Sequence, residues 1–164
     1  MKRRRFLLSF SALTLSACGF QLRGTGGRGV LPFKSVHLGA GTTGSLGVEL
    51  RRYIRANDVE LAPDPKSAEV TLEILSERRD RATLSLNSQG RVRDYSIYYT
   101  VRFRMIDAKG AEVLAPADMT LKRDITFNES QVIAKEKEEE MLYRDMQSDV
   151  VQQILRRMAA LKPA

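Results

Sequence analysis

The chain has 164 residues, 43% of them hydrophobic and 29% charged, with a formal net charge of +7. That is the composition of one ordinary globular domain, and it excludes a disordered, collagen-like or disulfide-stapled chain. A single cysteine, Cys18, and a single histidine, His37, also exclude an internal disulfide and any metal site of ordinary histidine–cysteine spacing.

Lys2, Arg3, Arg4 and Arg5 form a charged head, and Phe6 to Leu15 is an apolar run. The run falls short of the roughly 18 to 20 residues needed to span a bilayer, so residues 1–17 read as a signal peptide. Leu15-Ser16-Ala17-Cys18 closes it and reads as a bacterial lipobox. Small side chains before the cysteine suit a peptidase pocket, and the Cys18 thiol is the acceptor for diacylglycerol. Each buried CH₂ contributes about 0.8 kcal/mol, so two or more chains, palmitate among them, hold a protein firmly at a membrane. Arg3-Arg4-Arg5-Phe6-Leu7 also fits a twin-arginine export pattern, which leaves the export route open between two systems. Gly19 follows the cysteine where an acidic residue would signal inner-membrane retention, so the expected place is the outer membrane, on its periplasmic side. Removing the four basic residues takes the formal charge from +7 to +3, too modest for a nucleic-acid binder.

Residues 18–31, with Gly24, Gly26, Gly27 and Gly29, read as a lipidated N-terminus and flexible tether, and residues 32–162 as a single periplasmic domain. Phe33 to Leu38 predicts a short strand, broken by the glycine-rich run from Gly39 to Gly44. Ser45 suits the N-cap of a helix reaching Ala56, with Leu46, Leu50, Tyr53 and Ile54 on one face and Asn57 as its stop. Pro63-Asp64-Pro65 breaks the chain again. Val70, Leu72 and Ile74 alternate, as do Ala82, Leu84 and Leu86, which predicts one long strand with room for a bend over residues 76–81. After a turn at Asn87-Ser88-Gln89-Gly90, the run Tyr95, Ile97, Tyr99, Val101, Phe103 and Met105 is the clearest strand. Asp107 to Gly110 turns it back into a strand carrying Met119, Leu121, Ile125 and Phe127, with Arg123 the polar exception on that face. Leu142, Met146, Val150, Ile154 and Met158 repeat every four residues in a last helix, which Leu161 extends and Pro163 ends; Glu140 and Arg144 can pair across one turn. The order β-α-β-β-β-α predicts an α+β two-layer sandwich, a mixed four-stranded sheet with two helices packed on one face.

Little points to catalysis. His37 reads as a structural side chain, and Glu136, Glu138, Glu139 and Glu140 as a solvated first helical turn favoured by the helix dipole. No phosphate-binding glycine loop is present, and no cofactor or metal is expected. Basic residues suit an anionic ligand better. Lys135, just before the last helix, stands where a lysine and exposed helix N–H groups act together on a phosphate, and Arg91 and Arg93 follow the hairpin turn. Ser96, Tyr98, Thr100, Arg102 and Arg104 alternate with the apolar set and point away from the helices, as do Thr120, Lys122, Asp124 and Thr126. That face either meets solvent or a partner, and Tyr98, Arg102 and Arg104 are its expected contact residues.

Cys18-Gly19-Phe20-Gln21-Leu22-Arg23-Gly24 resembles the opening of the mature LPS-assembly lipoproteins, the LptE family. Asn57-Asp58-Val59-Glu60-Leu61, Asp94-Tyr95 and Ala134-Lys135 are similar to later segments of that family, in the same order. The resemblance implies a binding protein and not an enzyme. Such proteins plug a large outer-membrane β-barrel, LptD, help it fold, and assist delivery of lipopolysaccharide to the outer leaflet. It also implies that Lys135, Arg91 and Arg93 meet lipopolysaccharide. Two other readings remain open at this point: an auxiliary lipoprotein of a lipid-transport ABC system, and a periplasmic enzyme with a carboxylate site.

Overall fold

The computed structural model describes residues 31–127 and 131–161; the signal peptide, Cys18, Gly19 to Val30 of the tether, and Pro163 lie outside them. The elements are β1 (Ser35–Leu38), α1 (Ser45–Ala56), β2 (Glu60–Leu61), β3 (Val70–Leu86), β4 (Val92–Asp107), β5 (Glu112–Thr126) and α2 (Val132–Ala159). They form the expected α+β sandwich, with one addition. The sheet has five strands in the order β2-β1-β3-β4-β5, because Glu60–Leu61 pairs parallel to β1 at its edge. Two residues carry no readable periodicity. Backbone bonds alone place them: Glu60 N donates to Lys34 O and Ala62 N to Val36 O, both at 3.0 Å.

One face of the sheet is buried under both helices in a single core. Val36, Leu72, Ile74, Ile97, Tyr99, Val101, Phe103, Met105 and Ile125 meet Leu46, Leu50 and Ile54 of α1 and Met146, Val150, Ile154 and Met158 of α2. α2 buries a wider stripe than its four-residue repeat announces, since Tyr143, Gln147, Val151 and Leu155 are also inside. Leu31, at the end of the expected tether, is buried with them.

Two hairpin turns fix the meander. Asn87 Oδ1 accepts from the Gln89 and Arg91 N–H groups, and Asp107 Oδ1 from those of Lys109 and Ala111. Each turn closes through a glycine with positive φ, Gly90 at 76° and Gly110 at 83°. A short acceptor side chain at the first position and a glycine at the fourth are what such a turn demands.

Three local expectations change. Ser45 is not the N-cap of α1: Gly44 holds that position, and Ser45 Oγ instead donates to Gln147 Oε1 at 2.7 Å. Gln147 Nε2 and Ser148 Oγ both donate to Glu49, so a polar bridge joins the two helices. The second change is in β3. Irregularities in its pairing with β4 fall between Ile74 and Ser76 and again between Thr83 and Ser85. The first shifts the alternation by one residue, so Glu77, Arg79, Arg81 and Thr83 lie on the helix face, opposite Val101, Tyr99, Ile97 and Tyr95. Ala82 therefore falls on the open face opposite Ser96, and Leu84 and Leu86 are about half exposed and join no core. Third, α2 begins at Val132, so Lys135 lies inside the helix and no acid occupies its first turn.

Candidate functional site

The first candidate site is the far end of the long β3–β4 hairpin. Residues 76–86 of β3 are almost all exposed, since β1 flanks β3 only at Val70–Leu72 and, among the described residues, no strand lies on its outer side beyond. Phe127 N donates to Arg93 O at 2.7 Å, and its ring meets Tyr95 at 6.3 Å between centroids. The end of β5 is thereby joined to the start of β4, and α2 starts five residues further on. The fold thus brings Arg91, Arg93 and the Lys135 turn to one end of the molecule. Exposed apolar side chains gather there too: Leu84, Leu86 and Val92 on the hairpin, and Val132 and Ile133 at the start of α2. A basic and apolar mixture of this kind suits an amphipathic anion.

These cations are not bare. Lys135 Nζ lies 2.8 Å from Glu138 Oε2, with its side chain only 19% exposed. Arg93 Nε is 3.6 Å from Asp94. At Arg91 the backbone N–H donates to Asn87 Oδ1 at 2.9 Å. An incoming phosphate would have to share or displace the Glu138 carboxylate at Lys135.

Between this end and the core sits a cluster that alternation alone does not reveal. The Arg79 guanidinium lies 5.0 Å from the Tyr143 ring centre and 5.9 Å from that of Tyr99. Arg81 lies 4.6 Å from the Tyr95 ring and bonds Glu139 at 2.5 Å. Tyr95 Oη donates to the same carboxylate at 2.9 Å, Tyr99 Oη to Glu77 at 2.8 Å, and Tyr143 Oη to the Asp80 carbonyl at 3.1 Å. Stacked cations and shared carboxylates strap the exposed half of α2 to the hairpin. Glu139, expected as a solvated acid, has a side chain only 13% exposed and is the centre of this strap. The signal for it is the run Glu77-Arg78-Arg79-Asp80-Arg81, five consecutive charges inside a strand, which puts charges on both faces of the sheet whatever the phase. Arg123 behaves alike: it lies on the helix face and pairs with Asp149 of α2 at 3.0 Å.

Burial pushes the Tyr95 phenol up to about 12 from its ordinary 10.0, with the Glu139 hydrogen bond adding to it; Tyr99 and Tyr143 are raised too, burial again leading. Folded protein therefore keeps protons that unfolded chain loses above pH 10. The stabilisation is complete below pH 10 and drains away as pH rises toward 12. The urea midpoint is expected to fall from pH 10 upward, and Tyr95→Phe to flatten that fall. An equally steep fall in the variant would place the titration elsewhere.

The second candidate site is the open face of the sheet. Tyr98, Arg102 and Arg104 lie on it as expected, on the face opposite the helices. Arg104 is the most engaged, 2.7 Å from Glu73 and 3.8 Å from Glu112. Arg102 is 3.8 Å from Asp118 and half exposed; Tyr98 stands between Asp80 and Lys122 on the neighbouring strands. Ser96 is fully buried and donates to Asp124 at 2.6 Å, which holds that carboxyl below the ordinary carboxylate range, and Lys122 adds to the effect. The face carries both signs in matched pairs, so it offers hydrogen-bonding variety without a net field.

His37, beside this face, is half-buried, and its Nδ1 donates to Ala62 O at 3.0 Å, pinning β1 to the chain after β2. That is the structural role expected of it.

The model of the LptE family, described as lipopolysaccharide-assembly, matches residues 33–158. Its match covers β1 to α2 and so includes both candidate sites. The LPS-assembly lipoprotein LptE of Pectobacterium atrosepticum is 25% identical over 164 residues, covering 98% of this chain and 88% of that protein. Among solved structures, lipoprotein B of Nitrosomonas europaea is similar with a TM-score of 0.74 and 38% identity, over 87% of this chain and 91% of that one. A minor lipoprotein of Acinetobacter baumannii follows with a TM-score of 0.65 and 27% identity, over 82% and 98%.

Proposed function

The chain belongs to the LptE family of lipopolysaccharide-assembly lipoproteins, and on that premise we propose that it plugs the outer-membrane β-barrel LptD, supports the barrel's assembly and binds lipopolysaccharide on its way to the outer leaflet. Cys18, diacylated, anchors it on the periplasmic side of the outer membrane. The observation that carries the reading is the family match over residues 33–158, on a fold that leaves one whole sheet face without helices. A plug needs a polar outer surface that can meet a barrel lumen, and Tyr98, Arg102, Thr100 and Thr120 supply it. The reading involves no catalytic step, and an ABC-system role would require association with an inner-membrane complex instead.

Photo-crosslinking residues at Tyr98 and Arg102, introduced into the lipidated protein in its own envelope, are expected to capture LptD. Capture of inner-membrane transporter subunits would favour the ABC-system reading, and capture of no barrel would sink the plug.

Lipopolysaccharide recognition is assigned to the hairpin end. Lys135 supplies the charge, Arg91 and Arg93 extend it, and the apolar side chains nearby accept acyl chains. Lys135→Asp places two acids, Asp and Glu138, where a phosphate would sit. Loss of a charge-assisted bond with added repulsion costs about 1.5 to 3 kcal/mol, roughly a tenfold to hundredfold loss of affinity. Binding of the folded variant to immobilised lipopolysaccharide is the measurement, and unchanged binding removes Lys135 from the site.

A further inference from the structure

From its edge geometry and charge order, we infer that the free chain pairs with a second copy of itself through β3, antiparallel, about a two-fold axis at Arg79. β1 covers the outer edge of β3 only at Val70–Leu72, and the following loop adds two bonds, from Gly39 N to Leu72 O and from Ile74 N to Ala40 O. Beyond that, among the described residues, no strand lies on the outer side of β3, although the strand continues to Leu86. The opposite edge of the sheet is poorly suited to pairing, because Pro116 in β5 has no N–H and β5 is irregular between Ala117 and Glu112.

Charged side chains on an edge ordinarily repel another strand. Here their order does the reverse. With Arg79 facing its own copy, Arg78 stands opposite the second copy's Asp80, and Glu77 opposite its Arg81, each pair occurring twice. Both partners of each pair lie on one face: Arg78 and Asp80 on the open face, Glu77 and Arg81 on the helix face. Opposite charges across an antiparallel pair attract. The remaining like pair, Arg79 with itself, is relieved because that guanidinium is drawn over the Tyr143 and Tyr99 rings. Shifting the register by one residue turns helix-face side chains against open-face ones, an axis at Asp80 sets Arg79 against Arg81, and an axis at Arg78 keeps one kind of attractive pair, Glu77 with Arg79, where the axis at Arg79 has two.

Residues 18–164 carrying Cys18→Ser, which leaves no other thiol, are the background for the test. By light scattering they are expected to show a concentration-dependent mass approaching twice that of one chain. Asp80→Arg sets arginine against arginine at both equivalent positions and is expected to weaken the dimer about tenfold. Adding Arg78→Asp restores the opposite pairing and the dimer. Arg79→Cys, facing itself at a Cα separation of about 4.5 to 5.5 Å, is expected to close a disulfide on mild oxidation far more readily than Arg81→Cys. A monomeric mass at every concentration overturns the proposal. So does a dimer that ignores both charge variants, or oxidation that links the two cysteine variants equally.

Discussion

Gly47→Ala is expected to destabilise the domain by about 3 kcal/mol, although the same change in an exposed helix stabilises by about 1 kcal/mol. The sign is set by where α1 sits. A Cβ at Gly47 would lie 1.7 Å from the Thr42 carbonyl oxygen and 2.3 Å from its carbon, so it meets backbone and not a side chain that can swing aside. Nor can the loop retreat. Gly39 N donates to Leu72 O and Ile74 N to Ala40 O, both at 2.9 Å, and Thr42 Oγ1 closes the loop onto Gly39 O at 2.7 Å. Gly41, at φ 74°, is itself pressed against Ile74 O, which a Cβ there would approach to 2.1 Å. α1, this loop and β3 are therefore one packed unit. Gly44→Ser is the matched control: nothing lies within 4 Å of its Cβ position, and serine is a favourable N-cap, so its effect is expected to be neutral or stabilising. Urea denaturation of the three proteins is the measurement. A stabilised Gly47→Ala would mean that α1 does not rest on the Thr42 backbone.

Phe103→Ala is expected to cost about 3 to 5 kcal/mol, and Leu86→Ala no more than about 0.5 kcal/mol, although both residues belong to the same hairpin. Phe103 is fully buried beneath the helices, with the Arg157 guanidinium 5.7 Å from its ring centre, and truncation leaves a cavity that the sheet cannot collapse to fill. Leu86 is 58% exposed and already in water. The hairpin is thus held at one end by the core and at the other by the Arg79–Arg81–Glu139 strap and by pairing with the end of β5. Matching losses from the two variants, read from denaturation midpoints at constant slope, would contradict this division. The division has a functional side. The proposed lipopolysaccharide contacts sit at the end that contributes least to folding, where a ligand can rearrange side chains without drawing on the stability of the core.

Much of this was legible in the sequence. The alternation Tyr95 to Met105 identified β4 and its buried face, because period-two burial leaves an unmistakable pattern wherever one face is covered by helices. The Asn87–Gly90 and Asp107–Gly110 turns were readable from the local chemistry of two short acceptors and two glycines. The family was legible as well. The segments from Asn57 to Lys135 that carried the resemblance lie within residues 33–158, where the match to the family stands. Its first carrier, the Cys18–Gly24 heptad, lies outside the described residues.

What the sequence left undecided has a common cause: it depends on groups far apart along the chain. β2 exists because Glu60 and Ala62 find the carbonyls of Lys34 and Val36, and two residues have no period of their own. The bulge after Ile74 moves Arg79 and Arg81 onto the helix face, and only the rings of Tyr95, Tyr99 and Tyr143, one of them on α2, make that position favourable. Ser45 reads as a cap because capping is local, yet its hydroxyl is claimed by Gln147, more than a hundred residues away. Glu139 reads as a solvated acid because its neighbours are acids, yet Arg81 and Tyr95 enclose it. Local periodicity and turn chemistry determined the elements and their buried faces; the bulge phase, the edge strand and the partner of each charge were decided by tertiary contact, because a polar group taken out of water goes to whichever partner the fold brings within reach.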